Sequence, residues 1–202
     1  MSKLKILNLY AGIGGNRKLW GDDHDITAVE INPDIAKIYQ DLYPNDTVIV
    51  GDAHEYLRQH FRDFVFIWAS PPCISHSKLN FYNWHIPERL RYPDMNLYQE
   101  IIFLQKFFKG KWVIENVKPY YEPLIPPTFK SDRHYFWSSD FILVPETVRT
   151  FTNVKDKNKK MEKIFGFDLS SYKIKSNLKR KILRNCVKPE IGKYIFEQIM
   201  KG

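Results

Sequence analysis

Short apolar runs alternate along this chain with longer stretches in which apolar residues recur every three or four positions. The runs at 4–10, 26–31, 47–50, 64–69 and 112–114 are rich in β-branched and aromatic residues and too short for helices. They read as strands buried on both faces, as in a parallel sheet. Between them, residues 33–43 set Ile35, Ile38, Tyr39 and Leu42 on one helical face behind Pro33, and residues 54–61 read as a second helix. Residues 96–108 carry Leu97, Ile101, Leu104 and Phe108 at helical spacing. A short helix at 16–20 follows the first strand, a further strand covers 131–138 with Arg133 at its start, and a last amphipathic helix begins at Pro189 with Ile191, Ile195, Phe196 and Ile199 inward. Such alternation predicts an open α/β sheet with right-handed crossovers. Two regions break the pattern. Residues 78–94 are aromatic and histidine-rich without a period and read as a long lid-like loop. Residues 141–181 are polar, basic and weakly structured, so the chain divides into a catalytic, cofactor-binding α/β domain (1–140), a small basic lobe (141–181) and a returning segment (182–202).

Composition narrows the class. With 202 residues and 44% hydrophobic content the chain can bury one domain core. No apolar run reaches the ~18 residues of a membrane span, and the first residues pass straight into a strand, so a soluble, cytoplasmic protein is expected. Cys73 and Cys186 are the only cysteines, which rules out a disulfide framework and, without clustered histidines, gives no support to a metal site. Charge is unevenly placed. Residues 149–188 hold thirteen Lys/Arg against three Asp/Glu, a local +10 in a chain of +8, so the rest is close to neutral. Lysines 155, 157, 159 and 160 lie in this run, and a phosphate backbone is the partner such a lobe fits. The run has no apolar stripe, which argues against a membrane surface.

Each strand ends in residues with chemistry. The first runs into Ala11-Gly12-Ile13-Gly14-Gly15, a glycine turn that lets backbone amides approach a ligand, although many such turns only tighten a loop. The second ends in Glu30, where a carboxylate can accept from both ribose hydroxyls, and the third in Gly51-Asp52, which can accept from an adenine amino group. The fourth ends in Ser70-Pro71-Pro72-Cys73: two prolines stop the ladder and present the cysteine at the carboxyl edge of the sheet. A free cysteine by itself is as a rule a small buried hydrophobe. Here Glu115 emerges at the same edge after one crossover helix, giving a nucleophile and an acid on neighbouring strands.

In this order the motifs resemble the DNA cytosine-5 methyltransferase family: Asn8-Leu9-Tyr10-Ala11-Gly12-Ile13-Gly14-Gly15, Glu30, Gly51-Asp52, Pro71-Pro72-Cys73 with Ser77, Glu115-Asn116-Val117, Arg133, and Asn185-Cys186-Val187-Lys188-Pro189. The resemblance implies a Rossmann-like class I S-adenosylmethionine-dependent methyltransferase sheet. It implies S-adenosylmethionine as cofactor, leaving as S-adenosylhomocysteine, held by Tyr10, Ala11, Gly12, Gly14, Gly15, Glu30, Ile31, Asp52, Ala53, Pro72, Leu97, Asn185 and Cys186. Cys73 would attack carbon 6 of a cytosine flipped out of double-stranded DNA, with Glu115 on the N3 edge and Arg133 anchoring the substrate. Ser77, Asn116 and the lysines would contact the DNA. A bacterial or bacteriophage setting such as restriction–modification goes with this reading.

The chain departs from the family pattern at Asn8, where aspartate is usual, and at Ile74, Ser131 and Arg184, where glutamine, arginine and glycine are usual. Its recognition lobe is also small, which implies short or relaxed specificity or a specificity partner. Alternative readings are an RNA cytosine-5 methyltransferase with the same motifs, an amino-methylating enzyme read from Ser70-Pro71-Pro72, and a catalytically silent nucleic-acid binder. Cys73 in place of the stacking aromatic that amino methylation wants disfavours the second, and a binder has no need of the thiol.

Overall fold

The computed structural model describes residues 3–131, 133–145 and 158–201. Each apolar run becomes a strand: Lys5–Leu9 (β1), Asp25–Glu30 (β2), Thr47–Val50 (β3), Phe66–Ala69 (β4) and Lys111–Val117 (β5), all parallel. Phe129–Ser131 (β6) and His134–Ser138 (β7) complete a seven-stranded sheet of order β3-β2-β1-β4-β5-β7-β6, with β7 antiparallel to both neighbours. A mostly parallel sheet with helices on both faces is the Rossmann-like α/β arrangement expected from the sequence.

Helices cover both faces. Pro33–Leu42 (α1) starts on Asn32, whose side chain accepts from the N–H groups of Asp34 and Ile35 at 3.0 and 3.2 Å, and Ala53–His60 (α2) starts likewise on Asp52. Lys78–Tyr82 (α3) is short, and Asn96–Phe107 (α4) is the crossover into β5. Alternate residues of each strand face opposite ways. Leu7, Leu9, Ile67 and Ile114 therefore pack under α2 and α4, while Ile6, Phe66, Trp68 and Val113 pack under Trp20 and the last helix, Pro189–Lys201. On that second face the Trp20 ring stacks on Phe196 at 5.1 Å, and its indole N–H donates to the Gly192 carbonyl at 3.2 Å.

Four differences from the sequence reading have physical causes. The strand expected at 131–138 is a hairpin, β6 and β7, with Arg133 in its turn. β5 runs on through Glu115 and Val117 because β7 pairs with it there, Glu115 opposite Phe136 and Val117 opposite His134. The expected loop at 78–94 contains α3 and a 3-10 turn, Pro87–Arg89. The basic segment holds two helices, Asn158–Phe165 (α5) and Ser176–Arg184 (α6), which bury Met161, Phe165, Ile182 and Leu183 against Ile13 and Ile38. The final helix is accordingly α7. Lys155 and Lys157 lie outside the described residues. Among the described residues no helix is long and apolar enough to cross a membrane.

Candidate active site

In an open α/β sheet the strand order reverses between β1 and β4, and ligands bind in the crevice outside the strand ends there. On the β1 side the chain turns through Tyr10 and Gly12, both at φ +55°, a region an L side chain seldom enters. The Gly12 N–H donates to Glu30 Oε2 at 3.0 Å, and the other Glu30 oxygen accepts from Asn32 N–H at 2.9 Å. One carboxylate thus clamps the tips of β1 and β2. A Cβ on Gly12 would meet nothing within 4 Å, whereas one on Gly14 would strike the rings of Tyr39 and Tyr43, and one on Gly15 the Val187 carbonyl and Cys186. Gly12 is therefore the glycine that leaves room for a ligand; Gly14 and Gly15 are small because α1 and the segment after α6 press on them.

On the β4 side Ser70, Pro71 and Pro72 carry Cys73, which is half-buried, to the same edge. Ala69 of β4 pairs with Ile114 of β5, so Glu115 is the next residue on the adjacent strand. Asn116 ties the two tips together: its amide donates to the Pro71 carbonyl at 3.0 Å and its oxygen accepts from Val117 N–H at 2.9 Å. At 1% exposure that side chain is buried, holding the tips of β4 and β5 together.

Burial pushes the Glu115 carboxyl up to about 7, against the opposing pull of a hydrogen bond with Ser70 and the charge of Arg133. Ser70 Oγ in turn accepts from the Trp68 indole at 3.0 Å. His134 Nε2 sits 3.4 Å from Glu115 Oε1, and burial followed by the Arg133 charge lowers its imidazole to about 3. Burial and the nearby Glu115 raise the Cys73 thiol, while Arg133 and Arg184 pull it down. The resting sulfur is thus a thiol beside a carboxyl that can hold a proton at neutral pH, with two cations in reach. Arg133 is also tied down, donating to the Arg184 carbonyl at 3.2 Å. Arg184, a departure from the family pattern in the sequence, adds its positive charge to the surroundings of the thiol.

A second cluster was missed altogether. Tyr10 Oη donates to Glu100 Oε1 at 2.5 Å, and His54 Nδ1 lies 2.9 Å from the same oxygen, joining β1, α2 and α4 through one carboxylate. Glu100 is 1% exposed and its Oε2 has no partner. Burial raises its carboxyl, with the bonds from His54 and Tyr10 opposing; the same contact raises His54 and, after burial, Tyr10. A cavity of about 210 Å³ between α2 and α4 reaches this group. Only a glutamate on the buried face of a predicted helix marked it in the sequence.

Of the other expected residues, Glu30, Ile31 (69% exposed), Asp52 and Pro72 stand at the strand edge, with Asp52 also capping α2. Ala11, Ala53 and Leu97 are buried beneath it. Cys186 lies packed behind Gly15 with its thiol pushed up to about 12 by burial, and Asn185 is exposed at the end of α6. Ser77 donates to the Ile74 carbonyl within the turn after Cys73. Lys159 and Lys160 are exposed on α5. Among the described residues no three His, Cys, Asp or Glu side chains are grouped to hold a metal ion.

A family model for C-5 cytosine-specific DNA methylase matches residues 4–123. No curated protein matches the chain. Among solved structures it is similar to a mutant of DNMT2 from Spodoptera frugiperda, at 26% identity over 57% of this chain and 36% of that one, with a TM-score of 0.42. It is also similar to an S-adenosylmethionine-dependent methyltransferase from Agrobacterium tumefaciens, at 15% identity over 59% of this chain and 40% of that one, TM-score 0.37. The chain thus spans two fifths or less of the length of these proteins.

Proposed function

The chain belongs to the C-5 cytosine-specific DNA methylase family, and from that premise we propose that it methylates carbon 5 of a cytosine flipped out of double-stranded DNA, through a covalent bond to Cys73. The cofactor is S-adenosylmethionine, and the residues present fit it. Gly12 leaves an open face, Glu30 presents a carboxylate between two strand tips, and Ile31 offers an exposed apolar side chain beside it. When bound, the cofactor supplies the electrophilic methyl group.

The protein's own part is acid–base and positional. Cys73 gives its proton to water and its sulfur adds to carbon 6 of the cytosine; the ring's electron pair moves to carbon 5, which would take the methyl group as the sulfonium carbon–sulfur bond breaks. With its carboxyl raised to about 7, Glu115 is still partly protonated at neutral pH and so can donate to N3 of the ring, which favours that addition. Transfer of the carbon 5 proton to water then reforms the ring double bond and expels Cys73 as thiolate, while Glu115 takes back the N3 proton. Arg133, held by the Arg184 carbonyl, offers a fixed cation to the thiolate and the base. Flipping costs a few kcal/mol, roughly, which contacts from the basic segment 141–181, read as the recognition lobe, would offset.

The observation that carries this reading is the convergence of Cys73, on the turn after β4, with Glu115 on the adjacent parallel strand β5, with the carboxyl raised to about 7. Trapping tests it. A duplex with 5-fluorocytosine at the target cannot lose its carbon 5 substituent, so it should leave an adduct on Cys73 in the presence of cofactor and none on Cys73→Ser. Absence of any adduct while the cofactor demonstrably binds would refute it. Running RNA beside DNA with labelled cofactor decides the substrate.

A further inference from the structure

Residues 74–95, which begin next to Cys73, expose an unusual set of side chains. Trp84 is 70% exposed, Tyr92 96%, Tyr82 61% and Phe81 54%, whereas the chain's other four tryptophans are buried. The segment is nonetheless firmly built. Asn80, 5% exposed, donates to the carbonyls of Ser75 and Arg91 and accepts from Arg91 N–H, all at 2.9 to 3.1 Å. Asp94 N–H donates to Ser75 Oγ at 3.1 Å, Ser77 bridges to Pro119, and Phe81 stacks on Tyr120. A scaffold this well fixed turns its large rings toward water, and folding gains nothing from that. Binding does: a ring held in place gives up little entropy when a partner covers it.

The surroundings favour one partner. Lys78 just before the rings, and Arg89 and Arg91 between Trp84 and Tyr92, are exposed and form no ion pair with another described residue. Rings that offer flat faces, interleaved with free cations, match bases on a phosphate backbone. We propose that this segment is a stacking surface for unpaired bases of DNA, so that DNA is engaged at the thiol as a locally opened stretch rather than as an intact duplex. The inference rests on the DNA-methylating reading and adds to it the state of the DNA. A duplex opened at the target loses stacking there, and Phe81, Tyr82, Trp84 and Tyr92 replace it from the side of the reactive sulfur.

The probe is oligothymidylate of about 12 nucleotides, which holds no cytosine and so reports on this surface apart from methyl transfer. Because Trp84 is the one exposed tryptophan among the five, binding should quench fluorescence in the wild-type chain and not in Trp84→Phe. By anisotropy, Trp84→Ala/Tyr92→Ala should bind the probe at least about tenfold more weakly while unfolding at the wild-type temperature. Unchanged affinity in that variant, or no quenching of the wild type at saturation, overturns the proposal. Tighter binding of oligouridylate overturns its assignment to DNA. A wild-type dimer that the double variant turns into a monomer assigns the surface to a second copy instead. Quenching by oligothymidylate without any 5-fluorocytosine adduct would sink the methylation reading and leave this surface standing.

Discussion

Glu115 Oε1 lies 3.4 Å from His134 Nε2, yet the two do not form an ion pair at neutral pH, because burial lowers the imidazole to about 3 and raises the carboxyl to about 7. They are diagonal neighbours on one face of β5 and β7. Buried together, each favours its neutral form.

The sign of the pH dependence follows. Between pH 4.5 and about 7 the folded carboxyl keeps a proton that the unfolded chain has released. Stability fully present below that window is therefore lost as pH rises through it, by roughly 3 kcal/mol. Glu115→Gln, a neutral mimic of the protonated acid, should match the wild type in urea unfolding at pH 5 and exceed it at pH 8. His134 works in the other direction, costing stability as pH falls from 6.5 toward about 3, and is common to both proteins. The same variant should lower methyl transfer by about 10²- to 10⁴-fold. Equal stability of the two proteins at pH 8 would show that Glu115 is ionised at no cost.

Cys73 should be a slow thiol at rest. Burial and Glu115 raise it, so its alkylation by iodoacetamide should reach half-maximal rate above the ordinary thiol range near ~8.5. Arg133→Ala removes a cation that opposes that rise and should move the midpoint higher still. Cys186, pushed up to about 12 and buried, should stay unlabelled in the folded chain. Mass spectrometry of the two thiols across pH checks all three points, and fast labelling of Cys73 at pH 7 would contradict them.

Much of this was legible in the sequence because it is local. Apolar runs such as Phe66–Ala69, buried at every position, announce a parallel sheet, and a proline pair or a glycine turn marks where a strand stops. What escaped was short, masked or distant. β6 has only three residues and fuses by eye with β7. On α5 and α6 the apolar positions Met161, Phe165, Ile182 and Leu183 sit among lysines that hide their spacing. Tyr10 and Glu100 are 90 positions apart, and nothing along the chain relates them. At Gly14 and Gly15 a sequence shows an absent side chain without showing that Tyr43 stands against the first and Cys186 against the second.

The Tyr10–Glu100 bond should couple cofactor binding to stability. Tyr10→Phe removes a donor from a buried carboxylate whose other oxygen already lacks a partner, at an expected cost of about 1–3 kcal/mol. Because the hydroxyl holds Tyr10 at the turn beside Gly12, cofactor affinity should fall several-fold as well. Glu100→Gln alone should do similar damage, and the double variant should cost less than the two added together, by about 1 kcal/mol. Thermal unfolding and calorimetric titration of cofactor read both effects; strict additivity would mean the two side chains act independently.

Charge on α5 should act on DNA in a different way from the rings beside Cys73. Met161 and Phe165 bury one side of this helix, leaving Lys159, Lys160 and Lys163 exposed on the other. Cations that meet phosphates carry no sequence information, and each phosphate contact contributes about 0.9 to the slope of log affinity against log salt. Changing all three lysines to glutamine should thus weaken duplex binding equally for every sequence and flatten that slope by up to about 3. Trp84→Ala/Tyr92→Ala, which removes no charge, should leave the slope as it is. A triple variant with the wild-type slope would mean that these lysines meet no phosphate and that the duplex runs along another part of the chain.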